Sequence, residues 1–294
     1  MSDYFRQFAS HTNFHSSESW VVLSLIEKEI KRKIESVGLP LKDWDISINY
    51  GIKTGYNEAF IIDGVKRKEL IEKDPKSGEI IRPLLRGRDI KKYSCEFADL
   101  YIITTFPSLK IDIENYPAVK QHLTSFGYDR LKQTGDKGAR KKTSNQWFET
   151  QDTISYSEDF YKQKIVWKII GDQMAFFIDN DNFIVNNACY ILTGNYLEYL
   201  VIFLNSSIIK WYSYLTNMNK TGVGDMQIGA QNLILFPIPI LNKSEQQPFL
   251  ELLEEILKRK VLNEDIKILE TEANILVYKV YGLTDEEIGF IESQ

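Results

Sequence analysis

The sequence predicts an α+β protein: a mixed, largely antiparallel, strand-rich domain with a buried helix, followed by a helical C-terminal arm. Three observations carry that prediction. Ile46, Ile48 and Tyr50 alternate with polar neighbours, the period of a half-buried strand. The stretch Leu197, Leu200, Val201, Leu204, Ile208 and Trp211 is too apolar all round for a surface helix. Beyond Phe236-Pro237-Ile238-Pro239, where a helix cannot continue, Ile266, Leu269, Ala273, Leu276 and Val280 recur at steps of three and four, the spacing of a helix-pairing seam. The chain accordingly divides into an N-terminal lead-in and connecting helix at 1–40, a strand-rich domain at 41–241 and a helical arm at 242–294.

In chain order, Ser17 or Ser19 caps a helix with Trp20, Leu23, Ile26, Ile30 and Ile34 on one face, closed by Gly38 and Pro40. Residues 45–63 then read as strand, loop, strand, with a polar hairpin as the plain interpretation. Gly51 and Gly55 free the loop backbone, and Lys53, Thr54, Tyr56 and Asn57 place donors at its tip. Asp74-Pro75-Lys76-Ser77-Gly78 is a turn, 99–105 a strand rich in β-branched and aromatic residues, and 116–123 a short helix begun by Pro117. Strands follow at 164–170, 174–178 and 188–193, with Asp179-Asn180-Asp181-Asn182 turning between the later two. Two helical stripes end the chain, and Thr284 with Glu287 forms a capping box for a last short helix.

A net charge of −5 at first disfavours a nucleic-acid partner, but the charge is segregated. Residues 120–170 hold ten Lys/Arg against six Asp/Glu, whereas 245–294 hold five against twelve. The most basic segment runs from Arg130 to Lys142, carries Gly135 and Gly138, and is followed by Trp147; it has the composition of a loop that orders on a phosphate backbone. A second basic window, 82–92, holds five basic residues and one acid, with Gly87 between Arg86 and Arg88. Either arginine there could instead pair with Asp89 and brace the loop.

Catalytic signatures are not evident. There is no Gly-x-Ser-x-Gly elbow, His-Glu-x-x-His or Gly-Lys-Ser/Thr phosphate loop, and Gly222-x-Gly224 lacks the spacing of a dinucleotide fingerprint. Two cysteines are too few for a disulfide framework, His11 and His15 lack a third ligand, and the longest apolar run is too short to span a bilayer. These readings lead us to expect no metal site, no membrane span and a cytoplasmic location.

The succession Leu41-Lys42-Asp43-Trp44, Gly51 to Phe60, Pro83 to Ile90, Lys164-Ile165-Val166-Trp167, Leu204-Asn205-Ser206, Phe236 to Pro239 and Val277 to Glu287 resembles the TaqI-like C-terminal specificity domain. That resemblance implies the target-recognition part of type IIG restriction–modification enzymes, which join an adenine-N6 methyltransferase, often with a nuclease, to a DNA-reading region. It implies double-stranded DNA and a methyltransferase or nuclease domain or subunit as partners. S-adenosylmethionine and magnesium would belong only to those catalytic parts; neither the glycine-rich cofactor loop nor the Asn-Pro-Pro-Tyr-type motif occurs in this sequence. Loop chemistry then nominates Lys53, Arg86, Arg88, Lys137, Arg140, Lys141 and Lys142 for phosphate contacts. Tyr56, Asn57, Asn217, Asn219 and Lys220 are candidates for base edges, with Trp147 as wedge or support. The competing expectations are a module whose C-terminal helices dock a catalytic subunit and a nuclease with an unrecognised acid cluster.

Overall fold

A computed structural model describes residues 23–215 and 226–294. The chain packs as two compact units, one formed by 45–197 with 226–228 and the other, among the described residues, by 23–44, 198–215 and 229–294. This division does not follow the expected bounds at 40 and 241. Residues on both sides of the first unit return to pack with one another, a grouping that linear composition does not register.

The first unit holds two four-stranded sheets. In one the order is Phe176–Asp179, Lys164–Lys168, Cys189–Gly194, Ile46–Tyr50, antiparallel throughout. In the other it is Ile184–Val185, Ile81–Leu85, Leu100–Ile103, Ile61–Asp63, with the first pair parallel. Leu84, Ile102, Val166, Phe177, Ile184 and Ile191 belong to one buried cluster drawn from both sheets. The hairpin expected at 45–63 does not form: its two strands pair with 189–194 and 100–103 in different sheets, separated by a short helix, Asn57–Phe60. Pairing across the chain buries more apolar surface than a two-stranded ribbon could.

On the other face of the first sheet, Phe176, Trp167, Tyr190 and Tyr50 stand directly opposite one another on successive strands. Trp167 stacks on Tyr190 at 5.1 Å, Tyr50 lies 4.7 Å from Tyr190, and Trp167 Nε1 donates to the Ile228 carbonyl at 3.0 Å. Such cross-strand ring pairs each add stabilisation beyond burial. At the sheet edge the turn after Asp179 is fixed from within. Its carboxylate accepts from the amides of Asp181 and Phe183 and pairs with Lys164 Nζ at 2.6 Å, both side chains being fully buried.

A helix at Gly64–Lys73, not anticipated among Lys66, Arg67 and Lys68, is capped by the Asp63 side chain on the Lys66 amide. With Pro117–Thr124 it covers a second cluster containing Phe60, Leu70, Val119 and Leu123.

The other unit is mainly helical. Its first described helix is Leu25–Val37, capped by Ser24, which forms a capping box with Glu27; Ser17, Ser19 and Trp20 lie outside the described residues. The expected single apolar helix is two, Leu197–Leu204 and Ser207–Leu215. At the break, the Asn205 and Ser206 side chains donate to the Val201 and Phe203 carbonyls, which also accept the backbone amides of the same two residues. Helices Lys243–Val261, Lys267–Val280 and Asp285–Glu292 follow, the last with the predicted Thr284/Glu287 box. Leu39–Pro40 pairs with Pro237–Ile238, and the Tyr199 and Tyr281 hydroxyls donate to the Pro239 and Pro237 carbonyls at 2.9 and 2.8 Å. Those bonds tether the extended proline segment to the helices. No helix among the described residues is long and apolar enough to cross a membrane.

Candidate nucleic-acid interface

The loop after Tyr50 is pinned before it reaches its tip. Gly51 and Ile52 donate their amides to the Cys189 and Val185 carbonyls, and the Asn187 amide donates to the Ile52 carbonyl at 3.0 Å. A Cβ at Gly51 would lie 1.9 Å from the Asn186 carbonyl oxygen, so only glycine permits this approach. Thr54, itself buried, donates its hydroxyl to Asn57 Oδ1 at 2.7 Å and accepts the Tyr56 amide at 3.1 Å. Lys53 and Asn57 are exposed at the tip, while Tyr56 is half-buried beneath the Arg130 guanidinium, 4.0 Å above its ring.

Arg140 corrects the expectation that the basic segment is a loose loop. Its residue is 2% exposed, and its guanidinium donates to the carbonyls of Leu131, Thr54, Glu149 and Trp147 at 2.7, 2.9, 2.7 and 2.7 Å. With its donors committed to carbonyls, it is no phosphate contact; it is the anchor that joins three loops. Burial, aided by neighbouring Arg130, pulls its pKa down to about 10, which still leaves it charged at neutral pH. Gly135 and Gly138, both at positive φ, turn the chain back so that the Gly135 amide reaches the Arg140 carbonyl at 3.0 Å. Lys137, Lys141 and Lys142 remain exposed around this knot. Trp147 is half-buried, edge-on to Phe148 and Tyr128, which makes it a support of the knot rather than a projecting wedge.

A cleft of about 540 Å³ opens in the same unit between the Arg86–Arg88 turn and the Asn186–Ala188 turn, with Lys168 at its wall. Arg86 takes the bracing role: its Nε and Nη2 bond to the two oxygens of Asp89 at 3.0 and 2.8 Å, and its amide donates to the same carboxylate at 2.8 Å. Arg88, on the same turn, is exposed. Lys168 pairs with Asp172 at 2.9 Å. Opposite, Asn186 Oδ1 accepts the Ala188 amide at 3.2 Å, and the Asn186 amide and Ala188 carbonyl bond to Leu85 and Ile169. Asn187 and Ala188 are left exposed at the rim. Lys168, Asn187 and Ala188 were not candidates from the sequence, where 164–170 and 188–193 read only as strands.

Partial burial pushes the Asp89 carboxyl up, but the hydrogen bonds from Arg86 outweigh it and hold the net value below the ordinary 3.8. The stabilisation is therefore present above that ordinary value and lost as pH falls through the depressed one. Asp89→Asn is expected to cost about 1–3 kcal/mol at neutral pH. Urea midpoints of the two proteins measured down a pH series should converge under acid; a gap that persists unchanged would show that the pair is not its source.

Asn217, Asn219 and Lys220 lie outside the described residues. So do His11 and His15; among the described residues no three His, Cys, Asp or Glu side chains cluster as metal ligands.

The profile of the TaqI-like C-terminal specificity domain matches residues 82–238, a span that includes both turns of the cleft and Arg140. The type II methyltransferase M.PaeR7I of Pseudomonas aeruginosa is 24% identical over 287 residues, covering 96% of this chain and 46% of the relative. The chain thus spans about half the length of the curated relative it matches. Among solved structures, the type IIL restriction–modification enzyme MmeI, determined in complex with DNA, superposes with a TM-score of 0.57 at 14% identity, over 86% of this chain and 35% of that one. The type IIG restriction endonuclease BpuSI gives 0.54 at 14%, over 87% and 32%. At these identities the structural likeness concerns the fold, and it agrees with the α+β class.

Proposed function

The chain belongs to the TaqI-like C-terminal specificity domain family, and on that premise we propose that it recognises a specific duplex DNA sequence as the target-reading region of a type IIG restriction enzyme or adenine-N6 DNA methyltransferase. The observation that carries the reading is the pairing of a braced, cation-lined cleft with exposed lysines on a second rigid loop system in one unit. Fixed polar tips suit base edges, and surrounding lysines suit phosphates. In this reading the chain itself is not catalytic. S-adenosylmethionine and magnesium are held by a separate methyltransferase or nuclease part, with which the chain acts on DNA in the cytoplasm.

Selection of a randomised duplex library by the purified chain, with washes at low and moderate salt, tests the proposal: a single enriched motif is expected. Affinity should fall steeply with salt, and replacing Lys141 and Lys142 together by alanine should weaken all sequences alike and flatten the log–log salt slope by about 2. A double variant that leaves the slope unchanged removes these lysines from the phosphate contacts.

A second reading rests on the acidic C-terminal helices, where Val261 and Ile268 are 82% and 71% exposed. There the helices would dock a methyltransferase or nuclease subunit, and DNA would be touched only in the assembly. Such a module would retain little duplex at any salt, and that result would replace the first reading with the second.

A further inference from the structure

We propose that the cleft between the two turns is the base-reading element, with Arg88 and Asn187 as specificity-determining side chains, Ala188 as a methyl contact, and Lys53 as a flanking phosphate anchor. The proposal rests on the DNA-recognition reading and goes beyond it by moving Arg88 from phosphate to base edges and by naming residues on the opposite turn.

The geometry behind it is the rigidity of both rims. The Gly87–Asp89 turn is locked by the two-oxygen clamp of Arg86 on Asp89, so Arg88 projects from a backbone that cannot adjust freely. Gly87 approaches the facing turn so closely that a Cβ there would lie 3.2 Å from the Ala188 Cβ. The facing turn is tied to Leu85, Ile169 and Ile52 by backbone hydrogen bonds, and Asn186 spends its side-chain oxygen on the Ala188 amide. What these ties leave outward is a guanidinium fork, a carboxamide and a methyl group.

Those three groups match the major-groove edge of a duplex. A guanidinium donates twice to guanine N7 and O6, a carboxamide both accepts from and donates to adenine, and a methyl packs on the thymine methyl. A phosphate contact needs only a flexible cation, and Lys53 supplies one beside the cleft through the Ile52–Asn187 bond. A braced arginine next to an amide and a methyl is better fitted to discriminate bases than to neutralise charge. An open cleft, rather than an enclosed pocket, also suits a duplex edge.

The experiment is the same library selection carried out with the wild-type chain, Arg88→Ala, Asn187→Ala and, as a phosphate control, Lys53→Ala. Arg88 and Asn187 are exposed, so their truncation leaves the fold intact. Each of the two is expected to relax one position of the wild-type motif by roughly 5- to 150-fold, with affinity for unrelated duplex changed less than about 2-fold. Lys53→Ala should lower all sequences together and reduce the salt slope by about 1. Uniform weakening with a flatter slope in Arg88→Ala would overturn the assignment and return Arg88 to the phosphate set. An unchanged motif in both cleft variants would take the cleft out of the interface while leaving the recognition reading in place. A wild-type chain that retains no duplex at low salt would sink both together.

Discussion

Replacing Arg140 by methionine is expected to destabilise the first unit by about 3–5 kcal/mol, because it takes the guanidinium donors away from four inward-facing carbonyls, one of which, that of Glu149, keeps Gln133 Nε2 at 3.1 Å. Against a total stability of about 5–15 kcal/mol, this would populate unfolded or locally opened forms. The carbonyls concerned belong to Thr54, Leu131, Trp147 and Glu149, so the opening should centre on the loop that carries Lys53, Tyr56 and Asn57. Arg140→Lys keeps the charge but not the planar fork, and should fall between the two. Urea unfolding gives the magnitude, and hydrogen exchange at 51–57 and 128–150 gives the location. A loss below about 1 kcal/mol in Arg140→Met, smaller than one buried unsatisfied group should cost, would show that the loops do not depend on the knot.

The second large effect is expected at Lys164 and Asp179. Asp179→Asn preserves shape but turns one of the two acceptor oxygens into a donor and removes the countercharge of the Lys164 ammonium, which is fully buried and also donates to the Phe160 carbonyl at 2.7 Å. Burial already pulls the Lys164 pKa down against the favourable pull of Asp179, so removing the carboxylate leaves burial opposed by the smaller pull of Asp181. A cost of about 3–5 kcal/mol is expected. Lys164→Met combined with Asp179→Asn should recover much of it, since neither variant side chain is charged. Equal losses in the single and the double variant would attribute the effect to the turn bonds on Asp181 and Phe183 instead. The pair sits at the end of two adjacent strands, and the sheet they belong to also carries Lys168 and Ala188 toward the cleft.

Much of the secondary structure was legible because it follows from local spacing. Alternation at Ile46, Ile48 and Tyr50 marked a strand, and Thr284 with Glu287 marked a helix start that is found at that residue. The missed helix at Gly64–Lys73 has a weak amphipathic pattern, since it buries only Leu70 while Val65 is exposed, and its capping residue Asp63 also ends a strand. Strand partners were not legible either. Ile61–Asp63 pairs with residues some forty positions away, and the choice between that partner and a local hairpin is made by the apolar surface buried in three dimensions.

The sequence by itself determined that this is an α+β chain whose basic residues are gathered away from an acidic helical end, and which carries the marks of the specificity-domain family. It could not determine which cations are left exposed. Arg86, Arg88, Arg140, Lys141 and Lys142 are equivalent in composition, yet Arg86 is clamped to a carboxylate and Arg140 is enclosed by carbonyls, while the others face outward. One of the carbonyls on Arg140 comes from 86 residues earlier in the chain. Only the tertiary structure assembles such a cage, because burial and hydrogen-bond satisfaction depend on segments brought together by packing rather than on neighbours along the chain.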